Sequence, residues 1–202
     1  MSKPSHNQVK KLFTEVLLPF YHVKRDMPLP IGERRHENDA EHSWALAFLA
    51  SSLAPEVDPK LDVGKICQFA IVHDLVEVYA GDTPVHGTKE HILTKEAREA
   101  KAADRLTSEF AYLPWIASTI LAYERKDTDE AKFVYAVDKY LPVFFDYLDK
   151  SRYFREKKTS LKAYNEELSE HRKKAHTHPE VGKYYDEVRT LIDSHPEYFY
   201  SG

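Results

Sequence analysis

The sequence is poor in cysteine, with Cys67 as the single one among 202 residues, so no disulfide can form within the chain. Cys67 lies in an apolar run over residues 66–72, where a thiol is expected to be buried and inert rather than nucleophilic. No stretch approaches the roughly 20 apolar residues that a membrane helix needs. The polar segment over residues 1–11 lacks the apolar core of a signal peptide. We therefore expect a cytoplasmic protein.

A basic surplus is also missing, because 33 Asp and Glu residues outnumber 29 Lys and Arg residues and the net charge is −4. Nucleic-acid-binding proteins normally show the opposite balance, so no nucleic-acid partner is expected. Hydrophobic residues make up 42% and charged residues 31% of the chain. This balance argues against disorder and against a membrane protein. The length suits one domain with a substantial core, and we predict a single domain over residues 1–202.

Glycine is scarce, with six residues in all, and strand-like alternation of polar and apolar residues is absent. Apolar residues recur instead at spacings of three and four, which is typical of helices. Segment 27–32 contains two prolines and a glycine and is predicted as a loop, as is segment 83–93. The fold class predicted is therefore all-α, a helical bundle. The predicted helices cover about residues 6–22, 39–53 (with Asp39 as N-cap), 62–79, 94–111, 114–125, 128–151, 159–176 and 180–194.

The adjacent pair His73-Asp74 is the most informative feature of the sequence. The run over residues 67–72 before it is nearly all apolar, so an ionisable pair at its end is costly unless something compensates the charge. A divalent cation does so directly, because imidazole nitrogen and carboxylate oxygen both suit transition metals. Glu77 follows one helical turn later on the same face, and Asp82 lies just past the helix end.

Two further ionisable residues lie in apolar helical surroundings, His42 in the first turn of the second predicted helix and Asp138 within residues 133–141. Three helices would thus direct two histidines and two aspartates toward one metal, with positions left for water and substrate. Each residue alone has a structural alternative, since a His-Asp pair often only forms a hydrogen bond and Asp138 has Lys139 beside it. The metal-site hypothesis depends on the ordered combination.

The order His, then His-Asp, then Asp resembles the HD-domain metallophosphohydrolase superfamily, and most of all its bacterial 5′-deoxynucleotidases and the eukaryotic HD-domain-containing nucleotidases. The resemblance covers about residues 30–145, and the C-terminal helices predicted at about 159–194 lie outside it. The motifs that carry it are Arg35-x-Glu37-Asn38-x-x-Glu41-His42-Ser43, His73-Asp74-x-x-Glu77-x-x-x-Gly81-Asp82-x-Pro84 and Glu130-Ala131-Lys132-Phe133-Val134-x-x-x-Asp138-Lys139.

The resemblance implies an HD-type helical bundle that binds one divalent transition metal (manganese, cobalt or zinc) and hydrolyses deoxynucleoside 5′-monophosphates. Glu77 then resembles the acid that positions or deprotonates the attacking water, and Asp82 the residue that contacts the sugar hydroxyl. Arg35 resembles a basic residue facing the phosphate. Arg25 stands where the bacterial enzymes carry an Arg-Trp pair, but no tryptophan follows it, which leaves the preference for deoxyribose open. The residues that resemble metal ligands are His42, His73, Asp74 and Asp138.

Several alternatives remain open at this point. An HD-type triphosphohydrolase of nucleoside triphosphates, or a hydrolase of another small phosphorylated metabolite, would use the same metal site. A non-catalytic regulator that only binds metal or nucleotide is disfavoured by the presence of Glu77 and Asp82. The aromatic helix over residues 133–148 offers a surface for a homodimer, or is simply core. The basic residues that would suit a more anionic ligand are Lys24, Arg25, Arg34, Arg35 and Lys89.

Overall fold

The computed structural model describes residues 3–31, 35–82 and 93–201, and most of these residues are helical, as predicted. A π-helical segment, Phe13–Leu17, joins the first two helices, and a 3-10 turn, Pro196–Tyr198, follows the last. The predicted loop over residues 83–93 lies outside the described residues except for its last position. The helices are α1 (His6–Leu12), α2 (Leu18–Phe20), α3 (Asp39–Val57), α4 (Val63–Val72), α5 (Glu77–Ala80), α6 (Lys95–Glu109), α7 (Pro114–Arg125), α8 (Asp129–Leu148), α9 (Arg152–Glu156), α10 (Leu161–Glu167), α11 (Ser169–Ala175) and α12 (Pro179–Asp193).

A short antiparallel hairpin precedes α3, where no strand was predicted. Strand β1 (Lys24–Pro28) pairs with strand β2 (His36–Asn38), so the segment predicted as a loop over residues 27–32 begins inside β1. A two-stranded ribbon tolerates Pro28 because a proline at a strand end removes no ladder hydrogen bond from a neighbouring strand. Five and three residues are also too few to show a clear alternation of polar and apolar side chains.

Strand β2 runs directly into α3, and this junction corrects the predicted N-cap. Asn38, not Asp39, caps the helix: its side-chain oxygen accepts from the amide of Glu41 at 3.0 Å, and the Glu41 carboxylate accepts from the amide of Asn38 at 3.1 Å. This reciprocal capping box satisfies two amides that a helix start would otherwise leave unpaired. The helix then continues through Pro55, four residues past its predicted end at residue 53.

A turn over residues 73–76 separates α4 from α5, where one helix was predicted over residues 62–79. The ring Nδ1 of His73 lies 2.8 Å from the carbonyl oxygen of Ala70. In an uninterrupted helix that carbonyl accepts from the amide of Asp74, so the side chain competes with the helical ladder at this point. The helix predicted over residues 159–176 is likewise divided, into α10 and α11.

Helix α8 is the centre of the packing. On one side it encloses a large apolar cluster with α3 and α4, and on the other it packs against α11 and α12 around a second, aromatic-rich cluster. The five aromatic side chains named for a dimer surface are half-buried, and the homodimer stays a prediction. Cys67 is half-buried rather than buried. No helix in the described ranges is long and apolar enough to cross a membrane.

Candidate metal centre

Two imidazoles and one carboxylate, each from a different helix, converge at one point of the core. His42 lies in the first turn of α3, His73 directly follows α4, and Asp138 lies in the middle of α8. All three are buried, and one ligand atom of each lies within 4.8 Å of the other two. The Oδ1 atom of Asp138 is 3.0 Å from His42 Nε2 and 3.8 Å from His73 Nε2. The packing of α3, α4 and α8 against one another therefore builds the cluster.

Both histidines are oriented by an acceptor on the side away from the cluster. The Nδ1 atom of His73 faces the carbonyl oxygen of Ala70, which can only accept, so Nδ1 carries the proton. The Nδ1 atom of His42 lies 3.1 Å from a carboxylate oxygen of Glu37, which orients it in the same way. The Nε2 atoms of both rings then face Asp138. Metal-binding histidines are typically held by such acceptors at the second ring nitrogen.

The fourth predicted ligand, Asp74, joins the same group, with its Oδ2 atom 2.9 Å from His73 Nε2. Asp74 also belongs to the neighbouring acidic group with Asp39 and Glu77, so it lies between the two groups. Acceptors gathered in this way are costly to bury without a cation. Burial lowers the pKa of His42, but its hydrogen bonds to Asp138 and Glu37 raise it, to about 9 overall. His42 therefore keeps a proton that balances the charge of the neighbouring carboxylates, and a bound metal ion would balance the same charge. The donors suit a divalent transition metal.

Arg25, on strand β1, is the main counter-charge of the cluster. Its Nη1 atom lies 2.6 Å from Oδ2 of Asp74 and 3.3 Å from Oδ1 of Asp39, and its Nε atom lies 3.3 Å from Oε1 of Glu37. Burial raises the pKa of Asp74, whereas the nearby charges of His73 and Arg25 hold it well below its usual range. The hairpin therefore has a defined role, since β1 carries one guanidinium to two buried carboxylates and one half-buried carboxylate.

Glu77 begins α5 and lies beside the cluster, although the helix predicted to carry it there is interrupted. Atoms of Asp39, Asp74 and Glu77 lie within 4.8 Å of one another. Glu77 is buried, and its Oε2 atom has no hydrogen-bond partner among the described residues. Burial, followed by the charges of Asp74 and Asp39, raises the pKa of Glu77 to about 10. Asp82 follows Gly81, the residue at which α5 ends; its positive φ of 74° is incompatible with a continued helix.

A cavity of about 390 Å³ opens onto this group. The acids Asp74, Glu77, Asp82 and Asp138 line it, and so do residues of α9, α10 and α11. Lys139 lines it too, with its Nζ atom 2.5 Å from Oδ2 of Asp138. The cavity therefore combines the candidate metal ligands with positive charge suited to an anionic ligand. Its cationic side chains are Arg25, Lys95, Lys139 and Lys174.

A larger, apolar groove of about 920 Å³ lies on another face, between the N-terminal helix and α3. Trp44, Phe48 and Trp115 line it, and among the described residues no Asp, Glu, His, Lys or Arg side chain does so. The larger opening therefore lacks the groups that acid–base or metal chemistry needs, and the smaller cavity is the candidate active site.

Most of the site residues predicted from the sequence meet at this cavity or directly beneath it; they are Arg25, His42, His73, Asp74, Glu77, Asp82 and Asp138. Arg35 does not: its guanidinium forms a two-pronged pair with Glu41, at 2.7 and 2.8 Å, on the exposed side of α3. The expectation that it faces the phosphate is not met, because the capping acid of α3 holds it. Arg34 and Lys89 lie outside the described residues.

Sequence reasoning assigned no role to several residues that the structure places at the site. Glu37 stands within the first motif, five residues before His42, and this spacing was the available clue to its contact with the ring. Asp39 was interpreted as a cap, yet it is fully buried against Arg25. The remaining ones, which come from α6, α8 and α11, are Lys95, Lys139, Asp146 and Lys174.

Comparisons with known proteins agree with this geometry. A family model described as the HD domain matches residues 21–181. The 5′-deoxynucleotidase hdd1 of Schizosaccharomyces pombe is 29% identical over 117 residues, which is 54% of this chain and 56% of that protein. The chain therefore spans little more than half the length of this curated relative.

Solved structures share the fold over nearly the whole chain. A protein from Magnetospirillum magnetotacticum MS-1, described as a predicted metal-dependent phosphohydrolase, superposes with a TM-score of 0.76 at 25% identity and covers 96% of this chain and 95% of its own. A conserved hypothetical protein from Pyrococcus furiosus superposes with a TM-score of 0.57 at 24% identity, covering 94% and 99%. The second likeness concerns the fold alone.

Proposed function

Since the chain belongs to the HD-domain family, that of metal-dependent phosphohydrolases, we propose that it hydrolyses (deoxy)nucleoside 5′-monophosphates to nucleoside and phosphate. The observation that supports this most is one cavity, lined by four cationic side chains, beside two neighbouring groups of possible metal ligands: His42, His73 and Asp138, and Asp39, Asp74 and Glu77. The match to a 5′-deoxynucleotidase over about half of each chain supports a nucleotide as the substrate.

In this proposal His42, His73, Asp74 and Asp138 hold one divalent ion, manganese, cobalt or zinc. When bound, the ion supplies Lewis-acid polarisation of the phosphoryl group and acidifies a water molecule. The protein contributes the orientation of these ligands, because Glu37 and the carbonyl of Ala70 fix the two rings.

Glu77 is the residue proposed to orient the attacking water and to accept its proton. Its Oε2 atom has no partner among the described residues, and Glu77 lines the cavity. A cation bound beside it would lower its raised pKa and favour the carboxylate form, which can accept a proton. The water oxygen forms a bond to phosphorus, the bond to the 5′ oxygen breaks, and that oxygen leaves with a proton from solvent. No serine or cysteine is among the residues lining the described cavity, which favours direct attack by water.

Arg25 and Lys139 are the cations proposed to bind the phosphate oxygens, because each already contacts a candidate metal ligand. A planar guanidinium and a point-like ammonium together neutralise a doubly charged phosphate from two sides. Asp82, at the cavity lining, is proposed to accept a hydrogen bond from a sugar hydroxyl.

A triphosphate substrate is the second candidate, and a specific observation favours it. Lys95, Lys139 and Lys174 line the same cavity. Burial, together with the charges of Lys139 and Lys95, lowers the pKa of Lys174. Three lysines from three helices exceed what one phosphate group requires. A nucleoside triphosphate, cleaved to nucleoside and triphosphate, would use all of them.

The test is product analysis with metal-stripped protein, to which manganese, cobalt, zinc or magnesium is added singly. Panels of deoxynucleoside and ribonucleoside monophosphates and of deoxynucleoside triphosphates are assayed for phosphate, pyrophosphate and triphosphate. We expect phosphate from monophosphates, dependent on a transition metal. Release of triphosphate alone would replace the substrate with the second candidate. Tight metal binding without any hydrolysis would instead favour a binding protein.

Replacing Glu77 with glutamine should lower kcat on the preferred nucleotide by about a hundredfold, the usual contribution of a general base. Metal affinity should fall by no more than about 10- to 100-fold, the usual effect of a residue outside the ligand set, because Glu77 is not one of the four proposed ligands. Steady-state kinetics and titration calorimetry measure the two quantities.

Glu56→Gln, at an exposed acid near the end of α3, is the matched control and should leave kcat unchanged. A Glu77→Gln enzyme with wild-type kcat would remove Glu77 from the chemistry.

A further inference from the structure

A second buried carboxyl, that of Asp146, lines the same cavity but takes no part in the candidate metal group. It lies eight residues beyond Asp138 on α8, which at the rise of an α-helix corresponds to about 12 Å along the axis. Its exposed fraction is 4%. Among the described residues, no lysine, arginine or histidine forms an ion pair with it. A buried acid with neither a cation nor a metal is costly and needs another explanation.

Tyr164 holds Asp146 in place. The phenol of Tyr164, on α10, donates to Oδ2 of Asp146 at 3.0 Å, and Tyr164 itself is fully buried. Its ring packs against Phe154 at 4.6 Å and against Phe199 at 4.9 Å between centroids. One oxygen of the carboxyl is thus fixed by a rigid aromatic neighbour, and the other remains for a ligand in the cavity.

Burial raises the pKa of Asp146 to about 8, an effect that the hydrogen bond from Tyr164 and the charge of Arg189 only partly offset. The carboxyl is therefore mostly neutral at pH 7 and presents a donor and an acceptor side by side. Asp149 is the other charged group that acts on it, and it adds to the increase. A carboxylic acid kept neutral in an apolar site can donate a hydrogen bond to a bound ligand.

The cavity lining beyond the candidate metal ligands contains both apolar and polar side chains. Its apolar members are Pro142, Val143, Phe154 and Leu168, and α10 and α11 add Glu167, Glu170, His171 and Lys174. Apolar side chains beside one neutral group that both donates and accepts suit a planar heterocycle whose edge carries the complementary groups. The phosphate would lie beside the candidate metal ligands, and a sugar would span the distance to Asp146.

We propose that Asp146, positioned by Tyr164, is the specificity-determining residue for the leaving group and hydrogen-bonds the edge of the nucleobase. This inference rests on the proposed function, because it assigns one end of the nucleotide to each end of the cavity. It makes the C-terminal helices, which lie beyond the motif-bearing segment, the part of the chain that selects the substrate.

The experiment compares deoxynucleoside 5′-monophosphates with 2-deoxyribose 5-phosphate, which carries the same phosphate and sugar but no base. The test variant is the double substitution Asp146→Leu, Tyr164→Phe. It removes both partners of the buried hydrogen bond with side chains of similar shape, so no unpaired polar group remains to disturb folding. Asp129→Asn is the matched control, an exposed acid at the start of the same helix that does not line the cavity.

We expect wild-type kcat/KM to be at least about tenfold higher for the nucleotides than for the sugar phosphate. In the double variant this ratio should fall toward one through a rise in nucleotide KM, with kcat on the sugar phosphate unchanged. Binding of the product deoxynucleoside, measured by calorimetry without turnover, should weaken by about the same factor. The Asp129→Asn enzyme should keep the wild-type ratio.

Results that reject the base contact can be distinguished from a result that rejects the proposed function. Equal hydrolysis of nucleotide and sugar phosphate by the wild type, or an unchanged ratio in the double variant, rejects the base contact and leaves the phosphohydrolase intact. Absence of hydrolysis with every monophosphate, including the sugar phosphate, rejects the proposed function itself.

Discussion

Replacing Asp138 with asparagine is expected to weaken divalent-metal binding on the order of a thousandfold and to reduce phosphate release to the background rate. Loss of a residue that merely orients a ligand costs about 10- to 100-fold, and a direct ligand should cost more. Among the described residues, Asp138 is the one carboxylate within 4 Å of both candidate imidazoles, and asparagine keeps its shape while removing its charge. Calorimetric titration of manganese or zinc and metal analysis of the purified protein measure the effect.

Asp129→Asn provides the control for this experiment. Asp129 is the first residue of the same helix, and its side chain is 82% exposed. It belongs to neither group of candidate metal ligands. Its substitution should leave one metal ion per chain and full activity. An Asp138→Asn protein that binds the ion with wild-type affinity would exclude Asp138 from the ligand set.

The helices were predictable because apolar spacing reports directly on the buried face of a helix. Helix α7 was predicted over the residues that it occupies, 114–125, and α8 lies within its predicted range of 128–151. Both present an apolar stripe to the core, and both begin at a residue with a strong preference for helix starts, Thr128 as cap of α8 and Pro114 as first residue of α7.

The elements that were predicted wrongly depend on single side-chain contacts rather than on periodicity. The interruption after α4 coincides with the bond between the His73 ring and the carbonyl of Ala70. The hairpin depends on pairing between residues 24–28 and 36–38, and no local sequence pattern predicts this contact. In both places local apolar spacing was outweighed by a contact that exists only after folding.

The candidate site divides in the same way. Its proposed ligands were accessible from the sequence because a buried histidine or aspartate interrupts an otherwise apolar run. The charged residues around these ligands could not be predicted from the sequence, since an aspartate in the first turn of a helix, such as Asp39, looks like a helix cap. Lys95 and Lys174 lie far from the motifs along the chain and meet the ligands only through the packing of α6 and α11. The local sequence identifies candidate ligands, whereas the charged groups around them can be identified only from the tertiary structure.

The largest expected effect on stability follows from removing Arg25. Arg25→Ala should lower the free energy of unfolding of the metal-free protein by about 3 to 5 kcal/mol, the usual result of breaking a buried ion pair on one side. The substitution leaves the carboxylates of Asp39 and Asp74 buried without their guanidinium, and Glu37 loses its second partner. Urea denaturation followed by circular dichroism, with and without saturating manganese, measures the loss.

Metal and Arg25 neutralise the same carboxylates, and this gives the measurement its discriminating control. If so, manganese should stabilise Arg25→Ala more than it stabilises the wild type, because a dication gains where a competing cation has been removed. Arg25→Lys should recover only part of the loss, since one ammonium cannot reach three carboxylates that the guanidinium contacts through two nitrogens. Arg155→Ala, at an exposed arginine of α9, should change neither stability nor its response to metal. Equal stabilisation of wild type and Arg25→Ala by manganese would mean that the arginine and the ion act on separate groups, and Asp74 would then have to leave the proposed ligand set.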